Sequence, residues 1–423
     1  MKILFCAYDR PGHIATGPNA WLQRLIPDLR NTYGLDISTF FIYNGAIEEC
    51  PTLQFFQSNG LPTFSIDRDQ VPFVADQVKE ILQIIKTNSL VVVVANLVIP
   101  AFYAAKYLKP FNIPVIGVLH SNDAFYKSVI KKFIIGNDTD RLTVAVSVSD
   151  FIKSIADSDD LKCAVIPCGT PLKQEHAIRE NAQLKVMYAG RLETTQKEIL
   201  KLTTAFLHAS IKNSSLEFSI YGSGSQENEV KLLLNNCKHT HKVYFKGSVA
   251  PSEIQNVMLN HQVFTLMSDY EGMPIALMEA MACGLVPVCL YEESGIKEII
   301  SQGVNGLIFK NREEDYQDKL KTLVDDQLLW KQMSENAIQT IKTKYSSDIT
   351  HKQWFELLNG YRNSSVKKVK IPLNMKLNGE LLYYGDNRKP LAKEIIAKQL
   401  KEFWLKIKLK MRPRARLRRL LKK

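Results

Sequence analysis

The sequence predicts an α/β protein with two Rossmann-like, doubly wound domains that face each other across a cleft, followed by a basic helical extension. Three observations support this prediction. Short apolar runs alternate with amphipathic segments, which is the pattern of parallel sheets covered by helices. A polar interval at 174–183 divides this alternation into two series. The chain of 423 residues, 45% of them hydrophobic, is long enough to form two domain cores.

Each series consists of strands separated by helical segments. The first series predicts strands at 2–8, 36–43, 62–66, 90–95, 114–119, 142–148 and 163–167. The second predicts strands at 184–189, 216–221, 242–246, 262–267, 285–290 and 307–309. Helices fill the gaps, for example at 197–210, and a helix at about 346–361 is expected to pack back on the first domain. We therefore expect domains over 1–173 and 184–345 and an extension over 363–423.

The cysteine usage and the apolar segments indicate the cellular compartment of the protein. The seven cysteines are odd in number and scattered, and no Cys-x-x-Cys pair indicates zinc, so the usage is typical of a reduced, cytosolic protein. Asp9 and Pro11 interrupt the N-terminal apolar run too early for a signal peptide. The apolar stretch at 90–105 contains Asn96 and Pro100 and falls short of a membrane span. The sequence thus predicts a cytoplasmic protein.

The segment 271–279, EGMPIALME, is the most informative part of the chain. Pro274 suits the first position of a helix, and Gly284 suits the end of that helix. Glu271 then lies beside free backbone N–H groups that would attract an anion, while Glu279 needs a polar partner within an apolar helix. This predicts an anion cradle flanked by two acceptor groups, which suits a sugar nucleotide. The alternative for Glu271 is simple complementation of the helix dipole.

Small, polar and charged residues collect at the ends of the predicted strands, where open α/β sheets bind ligands. Arg191 follows a strand and Lys197 begins the next helix, so the two cations could neutralise a diphosphate; solvated surface charges are the alternative. His120 ends the fifth strand and could donate a proton or a hydrogen bond, or be structural. Other candidates at strand ends are Gly12, Gly17, Ser121, Asn122, Gly222, Gly247 and Ser248.

Together these motifs resemble a GT-B fold glycosyltransferase, specifically a retaining enzyme of family four. The resemblance is carried by YAGRL at 188–192 with Lys197, YGSG at 221–224, FKGSV at 245–249, SDYEGMPIALMEAMACGLVPV at 268–288, GIKEII at 295–300 and GVNGLIF at 303–309. It covers most of 184–310, whereas the first half matches in outline. Two departures stand out. Gly17 is followed by Pro18 where the family has a second glycine, and Lys197 is followed by Glu198 where the family has glycine.

The resemblance implies roles for single residues. Glu279 would bind the ribose hydroxyls of the donor, and Glu271 with the N–H groups of Gly272 and Met273 would hold the transferred sugar. Arg191 and Lys197 would bind the diphosphate and stabilise it as it leaves. Gly17 would let the first loop approach the phosphates, and His120 would contact the sugar or the β-phosphate. The nucleotide-binding set is completed by Gly222, Gly247, Ser248 and Pro274.

The resemblance also implies a reaction. The enzyme would move a hexose-type sugar from a nucleotide diphosphate sugar to a glycan or lipid-linked acceptor, in the synthesis of cell-surface polysaccharide or lipopolysaccharide. UDP-sugars are the favoured donors and GDP-sugars the alternative, with no metal or other cofactor required. Two rival classes stay open. One is a GT-B relative with other chemistry, such as an epimerase or a phosphorylase, and the other is an inactive, basic surface-binding protein.

The basic charge is concentrated at the C-terminus. Residues 387–423 contain 15 Lys/Arg and two acidic residues, whereas the whole chain has a net charge of +12. Cations interleaved with Phe403, Trp404 and aliphatic side chains predict an interfacial anchor on an anionic membrane, which places the protein peripherally on the inner face of the membrane. Nucleic-acid binding is not expected, because aromatic residues are confined to this pair. A solvated tail is the remaining alternative.

Overall fold

The computed structural model has two parallel sheets covered by helices. The structure describes residues 1–11, 16–180, 183–239, 242–291, 294–362, 369–375, 377, 381, 396 and 400. The first half of the chain contains strands β1 (Lys2–Tyr8), β2 (Asp36–Tyr43), β3 (Thr63–Asp67), β4 (Val92–Asn96), β5 (Val115–Leu119), β6 (Val144–Ser147) and β7 (Cys163–Val165). The second half contains β8 (Leu184–Ala189), β9 (Leu216–Tyr221), β10 (Val243–Gly247), β11 (Val263–Leu266), β12 (Val286–Leu290) and β13 (Leu307–Phe309).

Helices connect the strands within each half. Those of the first half are α1 (Gly17–Asn31), α2 (Pro51–Ser58), α3 (Val74–Asn88), α4 (Ile99–Leu108), α5 (Ala124–Phe133) and α6 (Asp150–Ala156). Those of the second half are α7 (Ile199–Lys212), α8 (Glu227–Asn236), α9 (Ile254–Met258), α10 (Ile275–Ala282), α11 (Ile296–Ile299), α12 (Glu314–Asp325) and α13 (Gln327–Thr340). A last helix, α14 (Ser347–Asn359), follows the second half.

Both sheets are wholly parallel and reverse their strand order once. The first has the order β3-β2-β1-β4-β5-β6-β7 and the second β10-β9-β8-β11-β12-β13. The order therefore switches between β1 and β4 and between β8 and β11. Strands such as β4 and β12 are buried along their whole length, because helices cover both faces of each sheet. A switch point leaves a crevice at the carboxyl ends of its strands.

The helix α14 packs on the first half of the chain. Trp354 is fully buried, with its ring 5.5 Å from that of Trp21 and 6.2 Å from that of Phe5. His351 Nδ1 lies 2.7 Å from Asp28 Oδ2 of α1. The helix α14, which follows the second half in the chain, therefore packs against β1 and α1 of the first half. This contact connects the two halves.

The two halves also contact each other directly. Glu298 of α11 accepts hydrogen bonds from the backbone N–H groups of Asp150 and Phe151, at 2.9 and 2.7 Å, and so caps α6 of the other half. Gly295, just before α11, donates to the carbonyl of Gly272 at 3.0 Å. The capping contact and the 271–274 loop are therefore linked by a single backbone hydrogen bond.

The predicted α/β fold is confirmed. All thirteen predicted strands are present, and their ends lie within two residues of the prediction. In the described part of the chain no helix is long and apolar enough to cross a membrane. The predicted basic anchor lies outside the described residues, apart from Ile396 and Leu400. Within the extension, residues 369–375 are described, and Val369 and Met375 are buried there.

Candidate active site

A cavity of about 410 Å³ lies between the two sheets and opens at both switch points. The first half contributes Tyr8, Asp9 and Arg10 after β1, Gly17 at the start of α1, Leu97 after β4, and His120, Ser121 and Asp123 after β5. The second half contributes Gly190 and Arg191 after β8, Tyr221, Gly222, Ser223 and Gly224 around the end of β9, Ser248 after β10, and Glu271, Gly272, Met273 and Pro274 after β11. The crevices of both sheets therefore face one shared space.

A chain of polar contacts joins the predicted cations and the carboxylate at this space. Lys197 Nζ is paired with Glu271 Oε1, and both side chains are nearly buried. Arg191 pairs with Glu193 at 2.9 Å and donates to Gln196 Oε1 at 2.6 Å. The structure thus brings Arg191, Lys197 and Glu271 together. Each cation has a carboxylate partner, so its positive charge is balanced within the site.

Lys197 does not begin a helix. The helix α7 starts two residues later, because Glu198 has a left-handed backbone, with φ +49° and ψ +42°. This conformation favours glycine and costs other residues about 1–2 kcal/mol. A left-handed backbone at this position explains why the family pattern has glycine there. Here the side chain of Glu198 pairs with Lys201 at 3.1 Å.

Pro274 lies at the N-cap of α10, one residue before its predicted place, with an extended backbone of φ −74° and ψ 114°. Its carbonyl still accepts the N–H of Met278, so it closes the first turn from outside the helix. Gly284 follows the helix with φ +83°, the left-handed C-terminal position that the sequence predicted. The 271–274 loop is consequently presented to the cavity by the start of α10.

Glu279 is buried, but it does not line the cavity. Its carboxylate pairs with Arg24 of α1 at 2.6 Å, so the polar partner that the apolar helix required is a cation from the other half. Ile275 and Ala276, four and three residues earlier on the same helix face, do line the cavity. Glu279 therefore lies directly behind the cavity wall.

The predicted glycines differ in whether they line the cavity. Gly247 does not line the cavity, since it ends β10 and its carbonyl accepts the N–H of Gly222 at 2.8 Å. Gly222 has φ +140°, and a Cβ there would overlap the carbonyl oxygen of Gly190. The YGSG turn thus needs glycine to pack on the end of β8. Gly17 opens α1 at the cavity, where an added Cβ would lie 3.5 Å from Ile275. Gly12 lies outside the described residues.

His120 lies at the end of β5, lines the cavity and uses both ring nitrogens within the protein. Its Nε2 lies 2.6 Å from Asn96 Oδ1, which can only accept, so Nε2 carries the proton. Its Nδ1 lies 3.7 Å from the Cys168 thiol. Burial lowers the pKa of His120 to about 3. The imidazole is therefore neutral near pH 7 and unsuited to proton donation.

This geometry predicts that His120 does not titrate between pH 5 and 8. Its folded pKa lies below the ordinary value of about 6.5, so its contribution to stability is complete above pH 6.5 and is lost as the pH falls towards 3. NMR spectra of the imidazole nitrogens, assigned with a His120→Asn variant, should show the Nε2-protonated tautomer throughout. A midpoint near pH 6.5 would show that the ring is more exposed than this geometry allows.

Several polar residues at this site were missed by sequence reasoning: Arg24, Asn96, Glu193 and Gln196. A usable signal existed for Gln196 alone, since it directly precedes Lys197. Asn96 ends β4, but its contact with His120 depends on the pairing of β4 with β5, which is a feature of the tertiary structure. Arg24 lies 255 positions from its partner Glu279, beyond the reach of any local pattern.

Comparison with known proteins finds similarity to glycosyltransferases. Residues 171–340 match the family model of glycosyl transferases group 1. A poly(ribitol-phosphate) alpha-N-acetylglucosaminyltransferase of Staphylococcus aureus is 25% identical over 175 residues, which are 41% of this chain and 35% of that protein. An N,N'-diacetylbacillosaminyl-diphospho-undecaprenol alpha-1,3-N-acetylgalactosaminyltransferase of Campylobacter jejuni is 25% identical over 277 residues, which are 60% of this chain and 72% of that protein.

The fold has solved counterparts. The crystal structure of Anabaena HepE in complex with UDP-glucose superposes with a TM-score of 0.69 at 16% identity, and the match covers 85% of this chain and all of that one. At this identity the likeness concerns the fold alone. Residues 171–340, which are similar to the group 1 glycosyltransferases, include Arg191, Lys197, Glu271 and Glu279, and the chain has the GT-B fold.

Proposed function

We propose that this protein is a retaining glycosyltransferase that moves a hexose-type sugar from a UDP-sugar to a glycan or lipid-linked acceptor. The observation that carries the proposal is the convergence of Arg191, Lys197 and Glu271 at the switch point of the second sheet. Two cations beside a carboxylate and a glycine loop suit a diphosphate joined to a hydroxyl-bearing sugar. In this account the second half binds the donor and the first half binds the acceptor.

The residues of the cavity wall suggest how each part of the donor would bind. Arg191 and Lys197 would take the diphosphate, with the N-terminus of α1 at Gly17 adding a favourable dipole from the other side. Glu271 and the N–H groups of Gly272 and Met273 would hold the sugar. Glu279, behind the wall and paired with Arg24, would reach the ribose through a small rearrangement of that pair. UDP is favoured over GDP because the similar Anabaena structure holds UDP-glucose.

The transfer step would rely on electrostatics rather than on a covalent nucleophile. Among the described residues, the four carboxylates that line the cavity all have partners, which supports this view. Asp9 accepts the N–H groups of Thr52 and Leu53, Asp123 caps α5, Glu193 pairs with Arg191, and Glu271 pairs with Lys197. As the bond to the anomeric carbon breaks, the two cations would stabilise the leaving diphosphate without a metal ion. An acceptor hydroxyl attacking from the same face would retain the configuration.

The acceptor would approach from the first half, beside a basic surface. Leu381 of the extension donates its N–H to Tyr103 Oη of α4 at 3.2 Å, and Lys132 of α5 lies 5.2 Å from the centre of the same ring. The basic extension therefore continues from a point next to α5, which contains Lys127, Lys131 and Lys132. An anionic membrane on this side would bind both segments and present a lipid-linked acceptor for envelope glycan synthesis.

The proposal is tested by incubating the protein with UDP-, GDP- and ADP-sugars, first alone and then with short glycan or lipid-linked acceptors. The expected result is transfer from a UDP-sugar, with the anomeric configuration of the product unchanged by NMR. An altered sugar formed without acceptor would instead indicate an epimerase, and transfer to inorganic phosphate a phosphorylase. Absence of both binding and turnover with every nucleotide sugar would leave the surface-binding alternative and refute the proposal.

A further inference from the structure

We infer that Gln196 is a positioning residue that keeps Arg191 available to the donor diphosphate by separating it from Glu271. The inference rests on the proposed function, because it concerns how the two charged groups are set for transfer. Gln196 belongs to the loop between β8 and α7 and is 7% exposed. A buried amide at this level is retained only where its polar atoms have partners.

The amide of Gln196 is bonded at both ends. Its Oε1 accepts from Arg191 Nη2 at 2.6 Å, and its Nε2 donates to the carbonyl of Tyr270 at 3.0 Å. The same Nε2 lies 3.5 Å from Glu271 Oε2. A guanidinium has no acceptor and a carbonyl has no donor, so the amide fits in this orientation alone. Gln196 consequently connects the cation to the loop that carries the carboxylate.

The backbone of Gln196 fixes the amide in place. Its carbonyl accepts the N–H of Asp269 at 2.9 Å, which binds the 193–198 loop to the segment preceding Glu271. Both the reach and the direction of the side chain are therefore set by the fold. Loss of the amide would remove its hydrogen bonds to Arg191 and Tyr270 and its contact with Glu271, without removing the loop from its position.

A neutral amide at this point has an electrostatic consequence. Arginine pairs strongly with carboxylates in a bidentate geometry, and Glu271 is the carboxylate next in line beyond the amide. With a smaller side chain at position 196, Arg191 would turn towards Glu271 and pair with it. Neither side chain would then be able to contact the donor. Gln196 thus keeps Arg191, which already pairs with Glu193, from a second contact with a carboxylate.

Two substitutions separate this role from simple packing. In Gln196→Ala the spacer is lost, and we expect kcat/KM to fall about tenfold, mainly through kcat, because one charge-assisted hydrogen bond is lost from the group that stabilises the leaving diphosphate. In Gln196→Glu the shape is kept, but the ionised side chain cannot donate to Tyr270. Its carboxylate would pair directly with Arg191, which favours the ionised form, so kcat/KM should stay below that of the native protein from pH 8 to 5.

The introduced carboxyl would face several charged or titratable groups. From the second half these are Arg191, Glu193, Lys197, Asp269, Glu271 and Tyr188, whose hydroxyl donates to the carbonyl of Arg191. From the first half Asp123 interacts electrostatically with Arg191. The ratio of native to variant kcat/KM cancels titrations common to both proteins, and we expect it to stay above one across this range.

The experiment measures UDP-sugar transfer from pH 5 to 8 by the native protein, both Gln196 variants and Arg191→Ala. Gln255→Ala serves as a matched control, since Gln255 is equally buried at 7% and donates to the carbonyl of Pro171 away from the cavity. If both Gln196 variants stay within twofold of native while Arg191→Ala is impaired, the positioning role is wrong. If Arg191→Ala also transfers at the native rate, the proposed function fails and this inference fails with it.

Discussion

Replacing Arg191 or Lys197 with alanine is expected to lower kcat/KM for the sugar donor about 100- to 1000-fold, which corresponds to roughly 3–4 kcal/mol of transition-state stabilisation. Both cations line the cavity, and both are held by neighbours: Arg191 by Glu193 and Gln196, and Lys197 by Glu271. Fixed positive charge stabilises a leaving diphosphate without reorganisation. Most of the loss should therefore appear in kcat.

Lys201→Ala is the matched control for this prediction. Lys201 lies in the first turn of α7, four residues after Lys197, pairs with Glu198 and has a side chain that is 56% exposed. Its substitution removes the same charge close to Lys197 in the chain without touching the cavity. Circular dichroism should show all three variants folded. Equal transfer rates for Lys197→Ala and Lys201→Ala would mean that the cavity cations do not act on the diphosphate.

Gly272→Ala is expected to lower kcat/KM about 100-fold by preventing the two halves from meeting. An added Cβ would overlap the carbonyl oxygen of His120 and lie 2.7 Å from its carbonyl carbon, both of which are backbone atoms of the opposite half. The overlap can be relieved only by moving the 271–274 loop or by opening the cleft. A displacement near 1 Å at a reacting centre costs about two orders of magnitude in rate.

Small-angle X-ray scattering separates the two ways of relieving this overlap, because an opened cleft increases the radius of gyration whereas a local loop shift does not. Gly360→Ala is the control, since Gly360 follows α14, far along the chain from the cavity, and an added Cβ there has its nearest contact at 3.3 Å. Native activity in Gly272→Ala would show that the close contact between Gly272 and His120 is not needed for transfer.

The sequence contained enough information for the fold and for part of the site. Strands buried on both faces leave continuous apolar runs, so β4 and β12 could be located within two residues. Gly284 could be assigned to a helix end because its left-handed backbone suits glycine. Arg191, Lys197 and Glu271 could be grouped because parallel strands bring their carboxyl ends to one edge.

The remaining features depend on contacts between distant parts of the chain. The partner of Glu279 could not be predicted, because Arg24 comes from α1 of the other half. The low pKa of His120 follows from tertiary burial, which no property of its neighbours in sequence reveals. The late start of α7 follows from the left-handed backbone of Glu198, although glutamate itself gives no such signal. Local sequence patterns determine the helices and strands, whereas the side-chain contacts across the cleft are determined by tertiary packing.

Titration calorimetry of the native protein and of the double variant Arg191→Ala/Lys197→Ala, with UDP and with uridine, tests most directly whether the cleft is a diphosphate site. The account predicts that the native protein binds UDP at least 100-fold more tightly than uridine and that the double variant loses most of this difference. Equal native affinities for UDP and uridine, or an unchanged preference in the double variant, would contradict it.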